Sequence, residues 1–322
     1  MPGHVYVTRR LTASPMASLE SSGHRVVVHP DPDRPPSRAE LIDAARGASA
    51  LITLLTDRVD AEVLDAAGSD LRVVANVAVG YDNIDLAAAD ERGVVVTNTP
   101  GVLSDATADL AFALVLATAR RVVEADRFMR TGQPWIWGPQ MFVGIDVSAG
   151  ATLGIVGLGR IGMAVARRAR AFDMRILATG SQATGPEAAA LGVEPADLAT
   201  LLRESDIVSL HCPLTPDTRH LIGAEELATM KPTAILVNTA RGPVVDEAAL
   251  VAALERGVIG GAGLDVYEHE PEAHPGLREL DNVVLLPHIA SAGLATRDAM
   301  GQLAVDNVLA VLGGGRPLTP VG

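Results

Sequence analysis

Cysteine is almost missing from this chain. Cys212 stands alone in 322 residues, so no disulfide framework can form and the fold must rest on a packed core. Positive charge is also scarce: 26 Lys+Arg against 39 Asp+Glu give a formal net charge of −13. Without a net positive field, no nucleic-acid partner is expected. Lys231 is the only lysine, which with the abundant Ala reads as coding bias, so each arginine must be judged by its surroundings. Long apolar runs are absent as well. Leu110–Ala119 falls short of the roughly 18 residues of a membrane span. Met1–His4 runs straight into strand-like residues without the basic-then-apolar order of a signal peptide. The expectation is a cytoplasmic protein with no membrane partner.

What is present is alternation. Apolar residues make up 48% of the chain and charged ones 20%, a globular balance. At roughly 100–200 residues per domain the length suggests two domains. Short apolar runs alternate with Ala-rich helical segments, the pattern of parallel strands joined by helical crossovers. One set of strand candidates is Val5–Thr8, Arg25–His29, Ala50–Leu55, Arg72–Ala78 and Val94–Asn98. A second set is Thr152–Val156, Arg175–Ala178, Ile207–His211, Ile235–Asn238, Ala262–Asp265 and Val283–Leu286. Five strands and then six predict an α/β protein of two doubly wound, Rossmann-like parallel-sheet domains, with the active site in the cleft between them. One long helix is expected over Asp105–Arg130, then a loop Thr131–Gly150 holding Trp135 and Trp137. A last helix, Ala295–Leu312, ends at Gly313-Gly314-Gly315 and is expected to pack back on the first domain. The expected division is 1–98 plus 293–322 for the substrate domain and 99–292 for the dinucleotide-binding domain.

Gly157-Leu158-Gly159-Arg160-Ile161-Gly162 is a G-x-G-x-x-G run between the strand Thr152–Val156 and a helix expected over Ile161–Phe172. In that setting the first glycine makes the turn, the second admits a pyrophosphate, and the third lets helix and strand pack closely. The carboxylate that grips an NAD ribose should lie about 20 residues on, but Leu177-Ala178-Thr179-Gly180-Ser181-Gln182 contains none. The absence of an acid, with Thr179 and Ser181 as hydroxyl donors and Arg160 as positive charge, favours NADP, with NAD as the second choice.

Further polar residues fall where the second set of strands ends: Arg241, Asp265, Glu270 and His288. An arginine fork suits a carboxylate, and a histidine beside a carboxylate suits proton transfer to a carbonyl oxygen. Arg241, Glu270 and His288 have duller alternatives, namely a surface ion pair, a turn cap before Pro271 and a loop histidine; their placement on one sheet edge favours chemistry. His211 and Cys212 also end a strand. No Cys–His–Asn arrangement makes Cys212 a nucleophile, and no Cys/His cluster suggests a metal.

The runs Asn76–Asp85, Gly157–Gly162, Asn238–Gly242, Gly263–Pro271 and Leu286–Ser291 together resemble the D-2-hydroxyacid dehydrogenase family, and within it the glyoxylate/hydroxypyruvate reductases. The resemblance implies an oxidoreductase moving a hydride from NAD(P)H to a small 2-oxo acid. Arg241, Glu270 and His288 match the catalytic trio, and Val79 and Gly80 match the loop whose amides hold the substrate carboxylate. Asp265 matches an acid that contacts the nicotinamide carboxamide. The cofactor-binding set implied includes Gly157, Leu158, Gly159, Arg160, Ile161 and Gly162, then Thr179, Gly180 and Ser181. Thr107, Cys212, Pro213, Thr239 and Ala240 complete it, with Arg241, Asp265 and His288 shared with the substrate site. Trp137 resembles an aromatic that reaches into a neighbouring subunit, which implies a homodimer formed through Pro100–Gly150. Gly180 departs from NAD-preferring members, which carry Asp there. Two alternatives stay open: reduction of 2-ketogluconate or broader 2-oxo acids, and a dinucleotide-sensing corepressor. Glu270 disfavours the formate dehydrogenase branch, which carries Gln; phosphite oxidation is not separated by motifs.

Overall fold

The computed structural model describes residues 3–321. The chain divides into two compact units, one running to Leu103 and resuming at Ser291, the other Ser104–Ala290. In the first, β1 (His4–Val7), β2 (Arg25–Val28), β3 (Ala48–Thr53), β4 (Val73–Asn76) and β5 (Val95–Thr97) form a parallel sheet in the order β2-β1-β3-β4-β5. Its strands are Val-rich because a β-branched side chain fits a pleated surface covered by helices. The helix Leu294–Leu312 packs on this unit, where Gly301 lets it approach Pro15 of the helix Ala13–Glu20.

In the second unit, β6 (Thr152–Val156), β7 (Arg175–Thr179), β8 (Val193–Pro195), β9 (Ile207–Leu210), β10 (Ile235–Asn238), β11 (Gly261–Leu264) and β12 (Val283–Leu285) form one parallel sheet. The order is β12-β11-β10-β9-β6-β7-β8. Side chains alternate between two cores, as a period of two requires: Ile155, Ile176, Ile207 and Val237 enter one, Val156, Leu177, Val208 and Leu236 the other. Both faces are covered, so the strands read as unbroken apolar runs.

Two expectations are corrected. The second sheet has seven strands, not six; β8 escapes notice because it is a three-residue edge strand that carries Glu194 and ends on Pro195, and such positions tolerate Pro. The single helix expected over Asp105–Arg130 is two, Ser104–Ala119 and Val122–Arg130. Arg121 breaks it with a left-handed backbone at φ 52°, and the Ile145 amide takes the Ala119 carbonyl at 2.8 Å. Among the described residues, no helix is long and apolar enough to cross a membrane.

Candidate active site

The turn after β6 shows what each fingerprint glycine does. Gly157 sits at φ +94°, and a Cβ there would stand 2.7 Å from the Cys212 amide nitrogen. A Cβ on Gly162 would lie 2.3 Å from the Gly157 carbonyl oxygen, so only glycine lets the helix Arg160–Ala171 approach β6 this closely. Gly159 differs: a Cβ there would meet no atom within 4 Å. It caps the helix with no side chain on the first amides, leaving donors and the positive end of the helix dipole for an anion. The loop is held from β7, with the Gly157 amide donating to Thr179 Oγ1 at 3.2 Å and the Leu158 amide to the Thr179 carbonyl at 3.1 Å. This cradle fits the pyrophosphate of a dinucleotide.

Gly180 follows β7 at φ +106°, a conformation side chains rarely adopt, with its missing Cβ 3.4 Å from the Leu158 nitrogen. The stretch against the glycine loop is therefore glycine for a backbone reason as well as lacking an acid. Ser181 opens the short turn Ser181–Thr184 and is exposed, as is Arg160, which makes no ion pair among the described residues.

The strands being parallel, β10, β11 and β12 end on the same edge as β6. His288 Nδ1 lies 2.8 Å from Glu270 Oε2, and both side chains are about a quarter exposed (24% and 27%). The other Glu270 oxygen accepts from the Tyr267 amide at 3.1 Å, and the Tyr267 hydroxyl donates to the Leu286 carbonyl at 2.9 Å. Burial, reinforced by the Asp265 charge, pushes the Tyr267 pKa up to about 12, so its hydroxyl remains a donor. His288 has a left-handed backbone, φ 55°, uncommon for a residue with a side chain. Asp265, fully buried, fixes it: its carbonyl accepts from the His288 amide and its carboxylate from the amides of Ile289 and Ala290, all at 2.8 Å. Burial raises the Asp265 pKa, and those two amides oppose the rise.

Arg241 is half-buried after β10 and donates to the Ala240 carbonyl at 2.8 Å. Its turn is braced by Asn238, whose side chain donates to the Arg241 carbonyl at 2.9 Å and accepts from the Ala240 amide at 3.0 Å. At Gly242 a Cβ would overlap the Tyr267 carbonyl, so the loops after β10 and β11 touch. Thr239 is buried with its hydroxyl unpartnered among the described residues. Thr107 is buried on the helix Ser104–Ala119. His211 Nε2 lies 2.8 Å from Ser209 Oγ, and burial pushes its pKa down to about 4. Burial raises the Cys212 thiol, which keeps it protonated and unreactive. Pro213 follows it, exposed. Among the described residues no group of His, Cys, Asp and Glu is placed to hold a metal.

In the first unit the Val79 and Gly80 carbonyls are held, by the Asn98 side chain at 2.7 Å and the Asn76 side chain at 2.9 Å. The amides of these two residues make no bond among the described residues. Trp137 is 75% exposed and Ile136 93%. Trp135, half exposed, shares their segment, whereas Phe142 packs on Phe128 at 5.6 Å. The bracing residues Asn238 and Tyr267 carried no sequence signal as functional: the Asn238 side chain bonds only within its own turn, and the Tyr267 hydroxyl meets Leu286 only in the fold.

The sequence pattern described as "D-isomer specific 2-hydroxyacid dehydrogenase, NAD binding domain" matches residues 112–290. The glyoxylate reductase of Thermococcus litoralis is 50% identical over 98% of this chain and 96% of its own length. The chain belongs to the D-isomer-specific 2-hydroxyacid dehydrogenase family. A crystal structure of a Thermus thermophilus protein superposes with a TM-score of 0.92 at 49% identity, covering 99% of this chain and 100% of that one. The NADPH-dependent glyoxylate/hydroxypyruvate reductase of Sinorhizobium meliloti, solved with NADP and malonate, gives 0.86 at 35% identity over 100% and 97% of the two chains. This D-2-hydroxyacid dehydrogenase is thus an enzyme with an NAD(P)-binding domain, acting on a small molecule.

Proposed function

We propose that this dehydrogenase reduces glyoxylate and hydroxypyruvate, and that it prefers NADPH. The observation that carries the reading is the Glu270–His288 pair on the sheet edge that also bears the glycine cradle and Arg241. With Nδ1 committed to Glu270, Nε2 is the ring nitrogen that gives its proton to the carbonyl oxygen. The Arg241 guanidinium orients the acid through its carboxylate. Bound NAD(P)H supplies the hydride for the carbonyl carbon. Asp265 keeps its loop in place by holding the amides beyond His288 and, by family resemblance, would contact the nicotinamide carboxamide of a bound cofactor.

Support for NADPH is the acid-free run Thr179–Ser181, with Arg160 making no ion pair among the described residues; a carboxylate here would repel a 2′-phosphate. Support for a homodimer is the run of three exposed large apolar side chains, Trp135, Ile136 and Trp137, since clustered exposed apolar surface marks interaction sites. The test is kcat/KM for glyoxylate, hydroxypyruvate and 2-ketogluconate with each cofactor. The expected result is turnover of the two smaller acids with NADPH ahead of NADH. A clear NADH preference overturns the cofactor assignment, and turnover of 2-ketogluconate ahead of the two smaller acids overturns the substrate assignment.

A further inference from the structure

Glu247 opens the helix Glu247–Glu255 and is 7% exposed, yet its carboxylate does not serve its own helix. That N-terminus is capped by Asp246, which accepts from the Ala249 amide at 2.9 Å. Instead Glu247 Oε2 accepts from the Glu268 amide at 2.7 Å and Oε1 from the His274 amide. These two amides bracket the short loop that carries Glu270, which is closed internally by the Glu272 amide on the His269 carbonyl at 2.9 Å. The grip is reciprocal, since Glu268 Oε2 accepts from the Glu247 amide at 3.3 Å and Glu268 Oε1 meets His220 Nε2 at 2.6 Å. Five residues before Glu247, Gly242 rests on the Tyr267 carbonyl.

We infer that Glu247 is a positioning residue for the Glu270–His288 pair: one buried carboxylate holds both ends of the Glu270 loop in register with the loop that carries Arg241. The inference rests on the proposed proton transfer through that pair. Its physical basis is tolerance. Glu270 meets His288 at 2.8 Å, and a hydrogen bond is gone beyond about 3.5 Å, so a loop shift of under about 1 Å uncouples the pair. A neutral substitute at Glu247 offers one acceptor for two amides and turns a donor against the second.

The test is a double-mutant cycle on the full-length enzyme with glyoxylate and NADPH, each variant first checked by circular dichroism and NADPH titration. Glu247→Gln is expected to lower kcat about 10- to 100-fold with unchanged NADPH affinity, the scale of an ångström misplacement. In a Glu270→Gln background the same change should lower kcat less than about threefold, because residues acting as a unit are not additive. Glu247→Asp keeps the charge but, a methylene shorter, reaches one amide; it enters the same cycle if Glu247→Gln does not fold. An equal loss in both backgrounds, or wild-type kcat in the single variant, overturns the inference. Failure of the underlying reading looks different: Glu270→Gln itself would then leave kcat untouched.

Discussion

Alanine at Gly159 and at Gly162 separates two jobs that lie three residues apart. At Gly159 the backbone is extended, φ −81° and ψ −162°, and a methyl group would meet no protein atom. Gly→Ala at such a compatible site stabilises by about 0.4–1 kcal/mol through the unfolded chain. The methyl would, however, fill the space kept open at the helix N-terminus. Forcing a pyrophosphate off one charge-assisted amide bond costs about 1.5–3 kcal/mol, or roughly 10- to 100-fold in affinity. At Gly162 the methyl would stand 2.3 Å from the Gly157 carbonyl oxygen, which cannot retreat without opening the turn. Overpacking of this kind costs about 1–3 kcal/mol, or some 2–4 °C of melting temperature per kcal/mol in a unit this size. NADPH titration by nicotinamide fluorescence and cofactor-free thermal melts read the two effects. Gly159→Ala should lose binding without losing stability, whereas Gly162→Ala should lose stability first. Wild-type NADPH affinity in Gly159→Ala, or a melting loss equal to that of Gly162→Ala, refutes the assignment of the open cradle to the cofactor.

His288→Ala should lower kcat by about 10²–10⁴ as general-acid help disappears, while Arg241→Ala should also raise KM for the 2-oxo acid; steady-state kinetics with glyoxylate separate the two patterns. Trp137→Ala should weaken the proposed dimer by about 2 kcal/mol or more and lower activity more than thermal stability, and sedimentation of a wild-type monomer that is fully active would refute it. His211 is half-buried, and desolvation lowers its pKa to about 4 from 6.5, so below about 6.5 the unfolded chain binds a proton that the folded one refuses. Stability should therefore fall as pH drops from about 6.5 towards 4, by up to about 3 kcal/mol. His211→Gln should flatten that slope in urea titrations run across this range.

Legibility followed the range of the interactions. The glycine run, Arg241, Glu270 and His288 stand in the sequence because their chemistry is written in residue type and in position after an apolar run. The turn geometry at Gly180 was hidden: the sequence shows a missing acid, while the structure shows φ +106°. Gly180→Asp is consequently a poor cofactor switch, since the strain of about 1–3 kcal/mol at such a conformation would blur any shift towards NADH. Arg121 broke an expected helix with no Gly or Pro to announce it, because the amide of Ile145, 24 positions on, ends that helix. Glu247 was illegible for the same reason: its partners belong to another loop, brought near only once β10 and β11 pair.

The unit that opens the chain is completed by residues beyond Ser291, and this sets an order of assembly during synthesis. The helix Leu294–Leu312 covers β3 and β4, and Asn98 is tied to Thr319, whose hydroxyl donates to the Asn98 carbonyl at 2.6 Å. All of residues 104–290 are made in between. At about 5–20 residues per second, the first five strands wait on the order of ten to forty seconds for the helix that buries one of their faces. The unit made second is whole first, so for that interval the nascent chain carries a finished nucleotide-binding body and an unfinished sheet, and chaperones that shield apolar surface would meet the earlier segment.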